Sequence, residues 1–220
     1  VRCDARIQLL ISGRGTKESY EEQGELQLTD YGISGIPVFQ LSRFAAAALD
    51  AGRQVKASID FLPGFRDNEA LWQELVEEKC TSCRQRSMEV LFGGLVNKKI
   101  IQTAVKLCGL SMGDRAERKN LPAIRKVFAL LRSFEVQVTD TNPFANAQVC
   151  AGGVPLTEVD GHLESRICPG LYLAGELLDA DGRCGGYNLQ RAWTTGYIAG
   201  KDAVLSLGKP AGQLKKGKRE

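Results

Sequence analysis

Hydrophobic residues follow two different periods along the chain, and each period predicts its own kind of element. Over residues 5–11, 25–28 and 55–61, apolar positions alternate with polar ones, which predicts three β-strands. Between the second and third of these strands, a run of four alanines predicts a helix. We expect Ser34 to cap this helix and Pro37 to lie near its first turn.

The pattern changes to a helical period near residue 68. From there to about residue 133, apolar side chains recur three and four residues apart, which predicts a group of helices. A further strand is predicted over residues 134–138, before a turn at Asn142 and Pro143. The helical positions are Leu71, Leu75, Val76, Ile100, Val105, Leu107, Ile124, Val127, Phe128, Leu130 and Leu131.

Residues 169–190 combine an apolar run, an acidic residue and a glycine-rich turn. The apolar run at residues 171–174 is short, as in a strand that is covered on both faces of a parallel sheet. Gly175 and Glu176 follow it directly, and ligands of open α/β sheets bind beyond the carboxyl ends of strands. The glycine-rich turn then leads into a helix, whose first backbone amides have no intrahelical acceptors. The stretch therefore predicts an α/β fold class and a cradle for an anion or a cofactor.

The composition is that of an ordinary globular protein. Of 220 residues, 43% are hydrophobic and 25% are charged, and the formal net charge is +3. No apolar run approaches the roughly 20 residues that span a bilayer, and the start lacks a signal-peptide pattern, so we expect a cytoplasmic location and no membrane partner. The basic tail at residues 208–220 contains no aromatic residue, which favours a solvated terminus over a nucleic-acid site.

The cysteines indicate neither a disulfide framework nor a metal site. Seven are scattered along the chain, and an odd number argues against a secreted, disulfide-bonded protein. Cys80 and Cys83 have the spacing of a redox or zinc pair. Zinc would require a second pair, and the chain has a single histidine, His162. A thioredoxin-like pair would lie at a strand-to-helix junction, whereas this pair lies in a polar helical region.

Residues 149–200 resemble the C-terminal part of the BaiN/YhiN-type flavoproteins, the aminoacetone oxidase-like FAD-dependent oxidoreductases. The likeness rests on the glycine pair before Val154, on Gly175-Glu176, and on the Gly-Gly-Tyr-Asn-Leu-Gln motif of residues 185–190. Residues 24–35 resemble the inserted domain of the same family. Several motifs in the same order are far more specific than a lone glycine motif.

The resemblance implies an FAD-dependent oxidoreductase that acts on a small organic substrate, with NAD(P)H as a candidate electron donor. It implies an inserted, substrate-side domain at residues 1–145 and the C-terminal part of a Rossmann-like FAD-binding domain at residues 146–207. In the inserted domain, Tyr31, Gly32 and Ser34 form the implied substrate-side loop. The implied cofactor-binding residues are Gly153, Val154, Gly175, Glu176, Asp179, Gly186, Tyr187, Asn188, Leu189 and Gln190.

Several of these positions also have a purely structural interpretation. Glu176 either contacts ribityl hydroxyls of the flavin or caps a helix, and Asp179 either lies near the cofactor or forms a turn. Tyr187 packs on a ring or seals the core. Gly153 allows the chain to pass close to the cofactor or forms a plain tight turn. The substrate-side loop is alternatively a simple connection with Ser34 as its capping residue.

The helix after Gln190 carries small and apolar residues on one face. A glycine inside a helix costs up to about 1 kcal/mol relative to alanine, so Gly196 and Gly200 suggest close backbone packing. We expect this face to pack against the sheet of the FAD-binding domain. Its members are Leu189, Ala192, Trp193, Gly196, Gly200, Ala203 and Val204.

The chain lacks the G-x-G-x-x-G turn that receives the pyrophosphate of FAD in such proteins. Its nearest approach, Gly13-Arg14-Gly15, lacks the third glycine, and we expect a loop there. Because the chain also begins at Val1 rather than Met, we expect a fragment that needs the N-terminal half of the FAD domain as its partner. The alternative function is a cofactor-free binding or interaction module.

Overall fold

The computed structural model describes residues 1–13, 15–82 and 85–207. Backbone contacts divide the chain into a first unit, Val1–Thr141, and a second unit that begins at Asn142. Each unit has its own cluster of buried apolar side chains.

The first unit is built on a five-stranded antiparallel sheet with the strand order β3-β2-β1-β4-β5. The three segments of alternating pattern, residues 5–11, 25–28 and 55–61, fall on β1, β2 and β4, as their pattern predicts. Gly13 pairs with Thr16, so the glycines near Arg14 join two antiparallel strands and do not lead into a helix. The strands are β1 (Arg2–Gly13), β2 (Thr16–Leu28), β3 (Ile33–Ser34), β4 (Gln54–Asp60) and β5 (Phe134–Val138).

One face of the sheet is covered by helix α1 (Ile36–Asp50). The predicted cap at Ser34 is wrong, because Ser34 lies in β3 and pairs with Gln27, and Gly35 is the residue that precedes the helix. Gly35 has a φ of 108°, and a Cβ atom there would lie 2.2 Å from the carbonyl oxygen of Glu25. The close approach of two backbones therefore decides where α1 begins, and it requires glycine.

In the described part of residues 68–133, four further α-helices form, as the helical period predicts. Their aromatic side chains pack together. The ring centroid of Phe128 lies 4.9 Å from that of Phe92 and 5.7 Å from that of Trp72. Cys80 is buried in α2, and Cys83 lies outside the described residues. The helices are α2 (Glu69–Ser82), α3 (Met88–Phe92), α4 (Lys98–Leu107) and α5 (Leu121–Arg132).

Asp60, at the end of β4, accepts a hydrogen bond of 2.8 Å from the backbone amide of Leu62. Its half-buried position raises the pKa of the Asp60 carboxyl, against the opposing effects of that hydrogen bond and of Arg132 and Arg6. A raised pKa means that the folded state binds this proton more tightly than the unfolded state. The stabilisation that protonated Asp60 contributes is therefore present in acid and is lost as the pH rises through its folded-state pKa.

We expect Asp60→Asn, which retains an oxygen acceptor for the Leu62 amide, to gain stability relative to the wild type as the pH rises from about 3 to about 7. Urea unfolding midpoints at several pH values measure this gain. Asp67→Asn, at an exposed position, is the control for loss of one charge. Parallel stability profiles for the wild type and Asp60→Asn would contradict the expectation.

Candidate functional site

The second unit contains short pairings of one residue each and one long helix, α6 (Tyr187–Leu207). The predicted buried strand at residues 171–174 is wrong. Tyr172 makes a single antiparallel bridge to Glu164, and Leu171 is exposed. A strand covered on both faces needs paired neighbours and packing on each side, and the described residues of this unit supply only that bridge. Leu173 instead joins a small apolar cluster with Val159 and Leu178.

Gly153 lies where two chain segments meet in parallel. The amide of Val154 donates to the carbonyl of Leu177 at 2.8 Å, and the amide of Asp179 donates to the carbonyl of Val154 at 2.9 Å. A Cβ atom on Gly153 would lie 2.5 Å from the Leu177 carbonyl oxygen. The close approach at Gly153 is thus between residues 153–154 and residues 177–179 of this chain.

The N-terminal end of α6 is fixed by Asn188. Its side-chain oxygen accepts from the amide of Gly182 at 2.8 Å, and its side-chain nitrogen donates to the carbonyl of Gly182 at 3.0 Å. The amide of Gln190 donates to the carbonyl of Gly186 at 3.0 Å, which is the first turn of the helix. The amides of Tyr187, Asn188 and Leu189 precede it and have no acceptor within the helix.

Two further contacts tie the segment after residue 174 into this arrangement. The amide of Gly175 donates to the hydroxyl of Thr195 on α6 at 2.8 Å. One carboxylate oxygen of Glu176 accepts from the amide of Cys150 at 2.7 Å. Asp179 is exposed beside the Val154 pairing. We call the linked set of residues 150–154, residues 175–182 and residues 186–195 the α6 cradle.

The α6 cradle brings together the ten residues predicted to bind the cofactor. The three residues of the predicted substrate-side loop belong to the first unit. There the amide and the hydroxyl of Thr29 both donate to the carbonyl of Gly32, at 2.9 and 3.0 Å, which closes a turn. Tyr31, in this turn, is 64% exposed, and Ile36 and Phe39 at the start of α1 are also exposed.

Arg191 is a residue of the α6 cradle that the sequence pattern did not identify. It lies on the same helix face as Asn188 and Thr195, which are three and four residues away. Its Nε and Nη1 atoms are buried and have no hydrogen-bond partner in the described part of the chain. No pattern in the sequence singles out this arginine, because the contacts of Asn188 and Thr195 on either side of it are seen only in the structure.

The opposite face of α6 is uncovered. Trp193 is 68% exposed, and Leu189 and Val204 are exposed on the same side. A Cβ atom on Gly196 or on Gly200 would meet nothing within 4 Å. The described residues of the second unit form no sheet, so the predicted packing of this face against a sheet is not made within that unit.

A crevice lies within the first unit, and none of the predicted site residues lines it. This crevice of about 140 Å³ is bordered by Tyr20, Phe44 and Arg53. Glu18 accepts from Arg53 at 2.7 Å and from Tyr20 at 3.0 Å. The Arg53 hydrogen bond lowers the pKa of Glu18, and the hydrogen bond to Glu18 raises the pKa of Tyr20. These shifts keep Glu18 ionised and Tyr20 protonated near neutral pH, so neither is suited to proton transfer there.

Neither a metal centre nor a membrane span is found in the described ranges. Residues 1–13, 15–82 and 85–207 contain no group of three or more histidine, cysteine or acidic side chains that could hold a metal ion. Within the same ranges, no helix is long and apolar enough to cross a membrane.

Comparison with known proteins matches residues 74–202 to the family model described as HI0933-like protein Rossmann domain. The 3-dehydro-bile acid delta(4,6)-reductase of Clostridium scindens is 40% identical over 205 residues, which cover 93% of this chain and 49% of that protein. The ribosomal RNA dihydrouridine synthase of Escherichia coli is 27% identical over 82% of this chain and 42% of its own length. That of Haemophilus influenzae is 28% identical over 79% of this chain and 40% of its own length. The chain thus spans half or less of each of these relatives.

Proposed function

Because the chain belongs to the HI0933-like family, we propose that it forms part of an FAD-dependent oxidoreductase that acts on a small organic substrate. The family resemblance and the α/β class predicted from the sequence are confirmed by this membership. The observation that carries the proposal is the α6 cradle, in which two chain segments are tied to the start of α6 beside guanidinium nitrogens of Arg191 that have no hydrogen-bond partner among the described residues.

The donors and acceptors of the α6 cradle fit a flavin. The free amides at the start of α6 suit the electron-rich pyrimidine edge of the isoalloxazine ring, because the positive end of the helix dipole lies there. Glu176 uses one oxygen for the Cys150 amide, which leaves the other to accept from a ribityl hydroxyl. Asp179 is exposed and can do the same. When bound, the flavin supplies the hydride chemistry, while these residues bind and orient it.

A small, largely apolar substrate is favoured over a polynucleotide. The relative that is 40% identical over the aligned residues is by its name a bile acid reductase, whereas the two ribosomal RNA dihydrouridine synthases are 27% and 28% identical. Tyr31, Ile36 and Phe39 expose apolar surface beside the proposed substrate-side loop, which suits an apolar ring system. NAD(P)H as electron donor and a cytoplasmic location remain predictions from the sequence.

The test of the proposal is FAD content. In a protein that joins this chain to a G-x-G-x-x-G segment, we expect visible flavin absorbance at one FAD per chain after purification. Substituting glutamate for Trp193 on the exposed face of α6 should prevent that assembly, while glutamate in place of exposed Leu71 in the first unit should not. A correctly folded assembly with no flavin and no affinity for FAD would refute the proposal.

The 220-residue chain alone is expected to bind FAD weakly or not at all. Charge-assisted hydrogen bonds contribute about 1.5–3 kcal/mol each, so loss of the phosphate contacts removes several tenfold factors of affinity. Titration of FAD into the purified chain, followed by flavin fluorescence, measures this. Tight, stoichiometric quenching would show that the α6 cradle holds FAD without a pyrophosphate-binding turn.

The alternative, a cofactor-free interaction module, is favoured by one observation, the uncovered apolar face of α6. The two functions differ in what the face contacts. If the assembly described above contains no flavin but Trp193→Glu still abolishes it, the interaction module is the better description.

A further inference from the structure

We propose that Arg191 supplies the positive charge that favours the reduced flavin in the α6 cradle. The inference rests on the proposed function, because it requires a flavin at this place. Arg191 is not one of the family motif residues, and the inference gives it a role in setting the reduction potential of the cofactor.

The position of Arg191 is set by contacts on either side of it. Asn188, one turn earlier on the same helix face, binds both backbone groups of Gly182. Thr195, one turn later, accepts from the amide of Gly175 and donates to the carbonyl of Arg191 at 2.7 Å. Arg191 therefore lies between the two chain segments that α6 holds, within the α6 cradle.

The guanidinium group of Arg191 is incompletely satisfied by this chain. Two of its three nitrogens are buried without a hydrogen-bond partner in the ranges that the structure describes. A buried donor of a charged group is costly to leave unpaired, and arginine keeps its charge at any pH relevant to proteins. Two acidic side chains that contact or lie on α6 have other contacts: Glu176 accepts from Cys150, and Asp202 contacts His162 at 3.0 Å. An acceptor from a ligand would complete the site.

The chemistry of the flavin decides which acceptor fits. Two-electron reduction places negative charge along the pyrimidine edge, which is the edge proposed to face the start of α6. A guanidinium group beside that edge stabilises the reduced form more than the oxidised form, because only the reduced form carries the charge. Arg191 transfers no proton in this role and contributes only its positive charge.

The experiment compares four variants of the flavin-loaded protein that contains this chain. Arg191→Met and Arg191→Gln remove the charge, and Arg191→Gln retains an amide donor in case the apolar variant does not fold. Arg191→Lys keeps the charge in a different geometry. Lys201→Met removes one charge from an exposed position on the same helix and serves as the matched control. The measurement is the two-electron reduction potential of the bound flavin, by equilibration with a redox dye.

We expect both neutral variants to lower the affinity for reduced relative to oxidised flavin by about tenfold, which equals a fall of about 30 mV in the potential. The potential of Arg191→Lys should fall less, and the potential of Lys201→Met should match that of the wild type. An unchanged potential in a neutral variant that retains FAD would overturn the inference and leave the proposed function intact. An equal loss of affinity for both redox states would also overturn it, since Arg191 would then bind protein or phosphate. A wild-type protein without flavin would instead refute the proposed function.

Discussion

Replacing Gly35 by alanine is expected to lower the free energy of unfolding of the first unit by about 3 kcal/mol or more. The new Cβ atom would lie 2.2 Å from the carbonyl oxygen of Glu25, a separation that real side chains do not reach. The φ of 108° at this position adds strain for any residue with a Cβ atom. Neither segment can move freely, because Gly35 joins β3 to α1 and Glu25 lies within β2.

Urea unfolding followed by the fluorescence of buried Trp72 measures the effect, in a Trp193→Phe background so that a single indole reports. Gly113→Ala is the matched control, because a Cβ atom there meets nothing within 4 Å and its φ is not positive. That variant should keep its midpoint or gain slightly. Equal midpoints for Gly35→Ala and Gly113→Ala would show that the β3–α1 junction relaxes around the methyl group.

Asn188→Leu is expected to lower the affinity for FAD by at least about tenfold, or about 1.4 kcal/mol. Leucine has the same number and branching of side-chain heavy atoms as asparagine but cannot make the two hydrogen bonds to Gly182, so the tie between Gly182 and the start of α6 would be lost. Each lost hydrogen bond costs about 0.5–1.5 kcal/mol, and a site that must be reordered on binding loses that energy from its affinity.

Gln190→Leu tests whether the FAD affinity falls because the Gly182 hydrogen bonds are lost or because any change in the first turn of α6 lowers it. Among the described residues, the side-chain nitrogen of Gln190 donates to the hydroxyl of Thr194 on its own helix at 3.2 Å and makes no side-chain hydrogen bond to another segment. Because Gln190 is itself an implied cofactor-binding residue, we expect Gln190→Leu to weaken FAD binding too, but by less than Asn188→Leu, which also loses the two hydrogen bonds to Gly182. Isothermal titration of the deflavinated protein with FAD distinguishes the two variants. If both lose affinity equally, the flavin contacts both side chains directly and the Gly182 hydrogen bonds are secondary.

The sequence predicted those parts of the fold that depend on local periodicity. Alternation along β1 correctly indicated which side chains are buried, since Ile7 and Leu9 are both nearly inaccessible. The helical period correctly indicated α5 for the same reason. Ser34 failed as a helix cap because the boundary is set by the approach of Gly35 to Glu25, which are far apart in the sequence and meet only in the folded unit.

The candidate site was less predictable, because its contacts join segments that are not periodic. The apolar run at residues 171–174 has the composition of a buried strand, but a strand forms only where neighbours pair with it. Arg191 could not be singled out, since the burial of a charged side chain depends on the chain segments packed around it. The motif residues of α6 were identified only through resemblance to a family, because composition and periodicity do not indicate a binding site there.

The order of strands in the first unit also has a mechanical consequence. Strands β1 and β5 both run antiparallel to β4, which lies between them, so β1 and β5 are parallel to each other. Tension applied between Arg2 at the start of β1 and Val138 at the end of β5 would pull these strands in opposite directions along β4. The hydrogen bonds of the sheet would then be loaded together in shear and could not open one after another. A force between these two strand ends would therefore be opposed by both ladders of β4 at once.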